Sequence, residues 1–414
     1  MADSASKSTM RRILFLSLDG MTDPLGQSQV LPYLAGLAAR GHQLWLMSCE
    51  KKERFEEGRA NIEAFCQQHH ISWHPQPYLR KPRGLATIIQ VRRMFMAAMQ
   101  LHQEHTFDAT HCRSYIPALV GLKLKRQEGL PFVFDMRGFW ADERVEGGLW
   151  DMKKPWYAWA YHYMKRKEKA FLTESKHVVS LTHAGKKIIE EMNLSQVGGI
   201  SVIPCSVDLE AFADEQRGRL GNEVRLQLGI APDALVFVYL GSVGSWYMLE
   251  EMLLLLKYVK RSRPESHLLF ISHSPPDLIR GKAAELGLPE DAFTIKAAGR
   301  KEIPALLRVG DIGLFFIKPC FSKQASSPTK LGEMLAMGLP IITNGGVGDL
   351  DDFFAKNEVG KLISSFEESH FEAVSRMIPE MLDWDKGAIR AVAEAHFSLE
   401  DAVDVYDEIY QGLV

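Results

Sequence analysis

Short apolar runs alternate with longer amphipathic stretches along the whole chain. The apolar runs are bounded by polar or turn-forming residues and predict buried strands, whereas the stretches between them carry apolar residues at helical spacing. In the first half, strands are predicted at 12–18, 43–48, 71–75, 109–114, 131–137, 177–182 and 200–204. In the second half, strands are predicted at 234–241, 266–274, 292–299, 311–318, 339–345 and 359–364.

Strands that alternate with helices indicate parallel sheets joined by crossover helices. The pattern occurs twice, and a polar, strand-poor segment at 208–222 separates the two occurrences. We therefore predict an α/β fold of two doubly wound, Rossmann-like domains that face a central cleft. The first domain is predicted at 1–207 and the second at 208–397. Ligands in such sheets bind at the carboxyl ends of the strands.

Composition and charge narrow the class of protein. The formal net charge is -3, so we expect no nucleic-acid partner. The five cysteines include no C-x-x-C pair, which favours reduced thiols in a cytoplasm. No apolar run reaches the ~18 residues of a membrane span, and the run 13–18 is short for a signal sequence. We expect a cytoplasmic protein, soluble or peripheral on the inner face of the plasma membrane.

The segment SSPTKLGEMLAMGLPIITNGG, residues 326–346, holds the most specific chemistry. Pro328 suits the first turn of a helix, and Ser326, Ser327 or Thr329 could cap it. Lys330 and the helix N-terminus would then form an anion site suited to phosphate. Glu333, one turn deeper, could accept hydrogen bonds from a ribose diol. The residues alone leave a second interpretation open, a capped helix with a Lys/Glu pair on a solvated face.

The segment resembles the donor-binding signature of GT-B glycosyltransferases, especially retaining family 4. EMLAMGLPII at 333–342, followed by Gly345-Gly346, is similar to the family pattern E-A-M-A-x-G-x-P-V-I-x-x-x-x-G-G. VIPCSVDLEAF at 202–212 resembles the family's interdomain crossover, and VYLGSVG at 238–244 resembles the first strand and loop of its nucleotide domain. FSLEDAVDVYDEIY at 397–410 resembles its closing helix, so we expect 398–414 to pack back on the first domain.

The resemblance implies a hexosyltransferase-type enzyme of polysaccharide biosynthesis. It would move a sugar from a nucleotide-diphosphate sugar, a UDP-sugar above all, to a glycan, lipid-linked or small-molecule acceptor with retention. Neither a metal nor a cofactor is expected. The donor-binding residues would be Gly26, Ser242, Gly244, Ser245, Ser327, Thr329, Lys330, Leu331 and Glu333. The catalytic residues would be His111, Arg113, Arg137 and Glu143.

Two departures from the family pattern concern the donor site. Ala325 stands where many members have a second glutamate, and the loop 241–247 lacks the Arg and Lys that clamp the diphosphate. We predict that Lys330, the helix N-terminus and the backbone of 242–245 replace this clamp. The departures keep a degenerate, non-catalytic partner open as an alternative, beside a nucleotide-sugar epimerase of the same architecture.

The candidates in the first domain follow buried strands. Gly26 matches the glycine of the family's loop after the first strand. His111 and Arg113 lie on one side of a strand and could stabilise charge on the leaving phosphate. Arg137 and Glu143 belong to the dense polar segment 134–148. The alternatives are a satisfied core histidine and a surface loop held by salt bridges.

Two further segments invite a functional interpretation. Asp349, Asp351 and Asp352 resemble a metal-binding cluster, but they begin a helix, where carboxylates suit the helix dipole, so we predict no metal. The aromatic and basic segment 149–172 could rest on a membrane surface. Its alternative is a core helix with a solvated basic end.

Overall fold

The computed structural model describes residues 10–82, 84–195, 198–213 and 217–413. The contacts between Cα atoms divide the chain into two compact units. Unit 1 comprises Met1–Pro204 and Leu399–Val414, and unit 2 comprises Cys205–Ser398. The boundary predicted at 207/208 lies three residues beyond this division.

Unit 1 is built on a parallel sheet. Its seven described strands are β1 (Arg12–Ser17), β2 (Gln43–Glu50), β3 (Ile71–Pro77), β4 (Ala109–Arg113), β5 (Phe132–Asp135), β6 (His177–Ser180) and β7 (Gly199–Val202). They lie in the order β3-β2-β1-β4-β5-β6-β7. Phe15 of β1 lies between Leu46 of β2 and His111 of β4. The strand order reverses between β1 and β4, which is where ligands bind in sheets of this kind.

The helices of unit 1 connect these strands. They are α1 (Pro24–Gln29), α2 (Leu31–Ala39), α3 (Lys52–Gln68), α4 (Leu85–His105), α5 (Tyr115–Glu128), α6 (Trp140–Glu146), α7 (Pro155–Glu174) and α8 (His183–Glu191). Helix α5 contacts both α4 and α7.

Unit 2 repeats the architecture with six described strands. These are β8 (Val236–Leu240), β9 (His267–Ile271), β10 (Phe293–Lys296), β11 (Ile312–Leu314), β12 (Ile341–Asn344) and β13 (Gly360–Ile363). They lie in the order β10-β9-β8-β11-β12-β13, and all their pairings are parallel. The order corresponds to the first six strands of unit 1, so the two sheets share one topology.

The helices of unit 2 are α9 (Arg217–Gln227), α10 (Leu249–Ser262), α11 (Pro276–Glu285), α12 (Ile303–Leu307), α13 (Thr329–Ala336), α14 (Leu350–Lys356), α15 (Glu368–Leu382) and α16 (Lys386–Phe397). The last helix, α17 (Leu399–Gln411), returns to unit 1 and contacts α2. Its Val403, Tyr406 and Tyr410 are buried in a core cluster with Leu34 and Leu37 of α2.

The sequence pattern and the structure agree at the level of elements. Each predicted strand has a counterpart, and the predicted α/β fold of two doubly wound sheets is confirmed. The polar segment 208–222 is a linker only in part, because α9 begins at Arg217. Residues 214–216 of that segment lie outside the described residues.

Candidate functional site

Lys330 lies in an aromatic enclosure within unit 2. It occupies the second position of α13, and only 5% of the residue is exposed. Its Nζ donates a hydrogen bond to Tyr239 Oη at 3.1 Å. The same atom lies 3.7 Å from the ring centroid of Tyr247 and 5.8 Å from that of Phe315. The electron-rich ring faces attract the ammonium group and partly compensate for its lost water.

Burial lowers the pKa of Lys330 well below its usual value, whereas the negative charge of Glu333 acts in the opposite direction. The ammonium is therefore under-stabilised, and an anion placed beside it would favour its charged form. Glu333 is also buried, with 3% exposed. The alternative of a Lys/Glu pair on a solvated helix face is wrong, since both side chains lie inside unit 2.

Glu333 is paired with a residue that the sequence analysis did not identify. Arg300 Nη1 donates to Glu333 Oε1, and the guanidinium lies 5.1 Å from the ring centroid of Phe212. Arg300 follows β10, so the pair joins two crossover segments of the sheet. One carboxylate oxygen is thus held in place, and the other can accept a hydrogen bond from a ligand hydroxyl. The separation of 33 residues gave no local signal for this pair.

The loop after β8 approaches Lys330 closely. A Cβ atom on Gly241 would lie 3.2 Å from Lys330 Nζ, and Gly241 has a φ of +124°. Glycine is therefore required where this backbone turns toward the lysine. Ser242 and Ser245 are exposed, and Gly244 has a φ of +89°. The loop predicted to share the donor site with Lys330 does lie beside it.

The start of α13 differs from its prediction. We expected Ser326, Ser327 or Thr329 to cap the helix, but the cap residue is Pro328 and no side chain caps the helix. Ser327 Oγ instead accepts a hydrogen bond from the Cys205 backbone N–H at 3.1 Å. Thr329 is the first helical residue, because the extended backbone of Pro328 immediately precedes it. The first N–H groups of α13 therefore remain suitable for an anion.

The position of the missing glutamate is enclosed. Ala325 is buried at the end of a short 3-10 helix, Phe321–Ala325. Lys323 of the same turn is also buried, and its Nζ lies 4.1 Å from the ring centroid of Trp246. A second lysine thus lies against the loop 241–247, and the sequence analysis missed it because it precedes the recognised motif.

In unit 1, charged side chains gather where the neighbouring strands β1, β4 and β5 end. The Asp135 carboxylate lies 3.7 Å from Arg113 Nη1 and 3.8 Å from Arg137 Nη1. Arg113 Nε lies 3.4 Å from Asp19 Oδ2. Burial acts to raise the pKa of Asp135, but Arg137, His111 and Arg113 together lower it. The site therefore contains a buried carboxylate held ionised between two guanidinium groups.

His111 lies in the core of unit 1 rather than on its surface. Its Nδ1 is 2.8 Å from Tyr410 Oη on α17, and its Nε2 is 3.6 Å from Asp135 Oδ2. The residue is 1% exposed, and burial lowers its pKa. The ring also lines a small cavity with Asp135 and Arg137, and its Nε2 has no hydrogen-bond partner among the described residues, so the catalytic role of His111 stays a prediction. Tyr410 is 299 residues away along the chain, so its partnership gave no sequence signal.

Gly26 is not in a loop, because α1 already begins at Pro24. A Cβ atom on Gly26 would lie 2.2 Å from the Gly20 carbonyl oxygen, so the glycine allows α1 to pack on the turn after β1. Buried Glu50 holds this turn: its Oε1 accepts from the Met21 N–H at 2.7 Å and its Oε2 from Thr22 Oγ1 at 2.7 Å. Glu50 is a supporting residue that the sequence analysis missed.

The polar segment 134–148 forms a sharp turn and a short helix. Arg137 has a φ of +59°, an uncommon conformation that turns the chain at the end of β5. Glu143 lies in the first turn of α6. Asp142 accepts hydrogen bonds from Tyr161 Oη and Lys165 Nζ, each at 2.8 Å. The alternative of a segment held by salt bridges is thus correct for Asp142.

The acidic cluster at 349–352 and the aromatic segment 149–172 each contain residues that stabilise the fold. Asp351 Oδ2 accepts from the Gly346 N–H at 2.6 Å, and within the described residues no group of acidic, His or Cys side chains could hold a metal ion. In α7, Phe171 and Leu172 are buried, whereas Trp156 and Trp159 are exposed. No helix in the described part of the chain is long and apolar enough to cross a membrane.

Comparisons with known proteins agree with this architecture. A family model described as Glycosyltransferase Family 4 matches residues 27–211, which cover most of unit 1. HepE from Anabaena, solved with UDP and glucose, is 14% identical with a TM-score of 0.69 over 96% of this chain and 99% of that chain. Sucrose-phosphate synthase from Thermosynechococcus elongatus is 16% identical with a TM-score of 0.72 over 97% and 98%.

WaaG, a glycosyltransferase involved in lipopolysaccharide biosynthesis, is 16% identical with a TM-score of 0.66 over 95% of this chain and 99% of that chain. No curated protein matches the chain by sequence. The structural likenesses show the fold, and neither they nor the family model favours the epimerase or the non-catalytic partner. Residues 27–211 thus resemble Glycosyltransferase Family 4, and the two-sheet fold is the one shared by HepE, sucrose-phosphate synthase and WaaG.

Proposed function

We propose that unit 2 binds a nucleotide-diphosphate sugar, and specifically a UDP-sugar, whose sugar is transferred to a glycan or lipid-linked acceptor. The carrying observation is the buried Lys330 ammonium beside the uncapped start of α13, with Glu333 one turn deeper. A positive charge and free N–H groups suit a diphosphate, and a fixed carboxylate suits ribose hydroxyls. HepE was solved with UDP and with UDP-glucose, which supports a uridine donor.

In this proposal, the donor residues divide by chemistry. Lys330, the start of α13 from Thr329 to Leu331, and the backbone of Ser242, Gly244 and Ser245 contact the diphosphate. Glu333 contacts the ribose, and Arg300 orients the Glu333 carboxylate through its hydrogen bond. Since these groups supply positive charge without a metal ion, the transfer requires none. Ser327 holds the segment before α13 through the Cys205 N–H.

The transfer step exchanges two bonds at the anomeric carbon. The bond from this carbon to the phosphate oxygen breaks, a bond to the acceptor hydroxyl oxygen forms, and the hydroxyl proton moves to the departing diphosphate. Departure and attack on one face give retention of configuration. In unit 1, Arg113 and Arg137 supply positive charge that suits a developing negative charge, Glu143 contacts a sugar, and Gly26 keeps α1 close to the turn after β1.

Thermal unfolding with UDP, GDP and ADP tests the donor site. A ligand at about 100 times its Kd stabilises the folded state by about 2.7 kcal/mol, which corresponds to roughly 5–10 °C in Tm for a unit of this size. We expect this increase with UDP, and we expect Glu333→Ala to remove most of it. Glu358→Ala changes an exposed carboxylate of the same unit and should keep the full increase.

Absence of any Tm increase with the three nucleotides would contradict the proposal. If UDP raises the Tm, incubation with UDP-sugars and analysis of the products would then establish transfer. Release of UDP that depends on an added acceptor is the result expected of a transferase, whereas isomerised sugar without an acceptor would contradict it.

A further inference from the structure

The two ring nitrogens of His111 have different neighbours. Nδ1 lies 2.8 Å from Tyr410 Oη, which is a normal hydrogen-bond distance. The ring also packs against Phe15 and Tyr406, with ring centroids 4.4 and 5.3 Å away. His111, Tyr406 and Tyr410 are all buried within unit 1. The imidazole is therefore held on several sides, and the position of its proton can be argued from its neighbours.

A carboxylate lies on the side of Nε2. The distance from Nε2 to Asp135 Oδ2 is 3.6 Å, which is too long for a normal hydrogen bond but short enough for a strong electrostatic interaction. Burial acts to raise the pKa of Asp135, but Arg137 and Arg113 lower it and keep the carboxylate ionised. An unprotonated Nε2 would place its lone pair beside this negative charge. Asp135 therefore favours a proton on Nε2.

The surroundings favour a ring with a single proton. Burial lowers the pKa of His111 below its ordinary value, although the Asp135 carboxylate acts in the opposite direction. A neutral imidazole has one N–H donor and one acceptor nitrogen. With the proton on Nε2, the acceptor is Nδ1, so Tyr410 donates its O–H to it. Burial raises the pKa of Tyr410 well above its usual value, so the phenol retains the proton that this hydrogen bond requires.

The opposite tautomer fits these neighbours less well. A proton on Nδ1 would donate to Tyr410 Oη, and the buried Tyr410 O–H would then need another acceptor. Among the described residues, Tyr410 Oη has His111 as its hydrogen-bond partner and no other. A buried hydroxyl without an acceptor costs free energy, and the Nε2 lone pair would also lie beside Asp135.

We propose that Asp135 and Tyr410 are positioning residues that hold His111 as a neutral hydrogen-bond donor at Nε2. Asp135 selects the nitrogen that carries the proton, and Tyr410 occupies Nδ1 and fixes the plane of the ring. The Nε2–H is left available, because Nε2 has no hydrogen-bond partner among the described residues. The ring lines a small cavity with Asp135 and Arg137, so a ligand group that enters this cavity would meet the donor.

The catalytic consequence rests on the proposed function. A neutral His111 with its proton on Nε2 stabilises a polar or negatively charged oxygen of a substrate by donating a hydrogen bond. It cannot remove a proton from an acceptor hydroxyl through Nε2, because that nitrogen has no lone pair to accept one. His111 is therefore a donor in the transfer, and the hydroxyl proton still moves to the departing diphosphate.

Nuclear magnetic resonance of the ring nitrogens tests the protonation state without reference to activity. The full chain is labelled with ¹⁵N at histidine, and the His111 signals are identified by their absence from His111→Gln. Near neutral pH, we expect a neutral ring with a protonated Nε2 and an unprotonated, hydrogen-bonded Nδ1. An imidazolium, or a proton on Nδ1, would overturn the proposal.

Three variants separate the contributions of the two positioning residues. Tyr410→Phe keeps the ring and removes the hydroxyl, so the Nδ1 signal should shift toward that of a nitrogen without a hydrogen bond. Tyr406→Phe is the matched control: its ring packs on His111 from the same helix, and the Nδ1 signal should stay in place. Asp135→Asn should produce a population with the proton on Nδ1, because the charge beside Nε2 is gone. An unshifted Nδ1 signal in Tyr410→Phe would contradict the proposed hydrogen bond.

Transfer kinetics test the step from this tautomer to catalysis. Tyr410→Phe should lower kcat by up to about tenfold, the equivalent of one neutral hydrogen bond. The same change in a His111→Leu background should have no further effect, because Tyr410 acts through His111. His111→Gln offers an amide N–H in place of Nε2–H and should retain more activity than His111→Leu.

Two kinetic outcomes would overturn the donor role. The first is an equal loss of kcat from Tyr410→Phe in both backgrounds, which is the result expected of a residue that only supports the fold. The second is equal activity of His111→Gln and His111→Leu. If no transfer is detected at all, the proposed function fails, and the nitrogen signals still decide the protonation state of His111. Cooperative thermal unfolding verifies that each variant folds.

Discussion

At the scale of single residues, the surroundings of Lys330 determine how it responds to pH. Burial lowers its pKa from the ordinary value of 10.5. At a pH between the lowered pKa and 10.5, Lys330 therefore carries a proton in the unfolded chain but not in the folded chain. The contribution of Lys330 to the free energy of unfolding therefore increases as the pH rises through this interval. An anionic ligand bound beside Lys330 would shift the pKa of the lysine in the opposite direction, upward.

We expect UDP binding to be linked to proton uptake at Lys330. The diphosphate charge favours the ammonium form and raises the lysine pKa, so affinity should fall as pH rises above the lowered pKa. Calorimetric titration with UDP, in buffers of different ionisation enthalpy at one pH, measures the uptake of up to about one proton. Lys330→Met should abolish the buffer dependence, whereas Lys301→Met, at an exposed lysine, should preserve it. A buffer-independent enthalpy in the wild type would exclude the linkage.

At the scale of elements, α1 is positioned by direct contact with the turn after β1. The Gly26 backbone packs on Gly20 and Met21, and the Glu50 carboxylate holds the other side of the turn through the Met21 and Thr22 N–H groups. Because α1 is only six residues long, this contact rather than helix propensity fixes its position. A methyl group added at Gly26 should therefore show how far the stability of the fold depends on this contact.

We expect Gly26→Ala to lower the free energy of unfolding by about 1–3 kcal/mol, because its Cβ would overlap backbone atoms that cannot rotate away. Gly281→Ala is the matched control. It lies in α11 with no atom within 4 Å of the added Cβ, so it should raise stability by up to about 1 kcal/mol. Urea unfolding of the full chain measures both, and equal stability of the two variants would contradict this packing role.

The strands were predictable and the partners within the site were not, for a physical reason. Runs such as 234–241 are apolar because both faces of a parallel strand are buried, so each run carries its own signal. Lys330 and Glu333 were predicted from one helix, but their partners Tyr239 and Arg300 come from distant segments. The burial of His111 was not predictable either, because its partner Tyr410 lies on α17, 299 residues away along the chain.

At the scale of the whole molecule, the two units keep separate cores. The main apolar cluster of unit 2 is drawn from residues between Val207 and Phe397. A cluster of unit 1 instead requires Val403, Tyr406 and Tyr410 of α17. Val207 pairs with Ser398, so the chain leaves and re-enters unit 1 at adjacent points. Unit 2 is thus an insertion between the sheet of unit 1 and its last helix.

We expect residues 205–398 to fold alone and residues 1–204 not to, because only the former retain their whole core. Circular dichroism should show cooperative thermal unfolding for 205–398 and a weak or absent transition for 1–204. Joining 1–204 to 399–414 through a short Gly/Ser linker should restore the transition, since the two ends lie close together. A cooperative transition in 1–204 alone would show that α17 is dispensable.

The return of α17 to unit 1 also affects biosynthesis. At about 5–20 residues per second, the ribosome needs roughly 10–40 s to proceed from residue 204 to α17. During that interval, the side of α2 that carries Leu34 and Leu37 lacks its covering helix, and unit 2 acquires the last residues of its own core only at the end of the interval. Unit 1 therefore cannot complete this cluster before all of unit 2 has been synthesised, and the nascent chain carries an open apolar surface on its older half. Chaperones that bind apolar segments would find their main target there, at α2, until translation is complete.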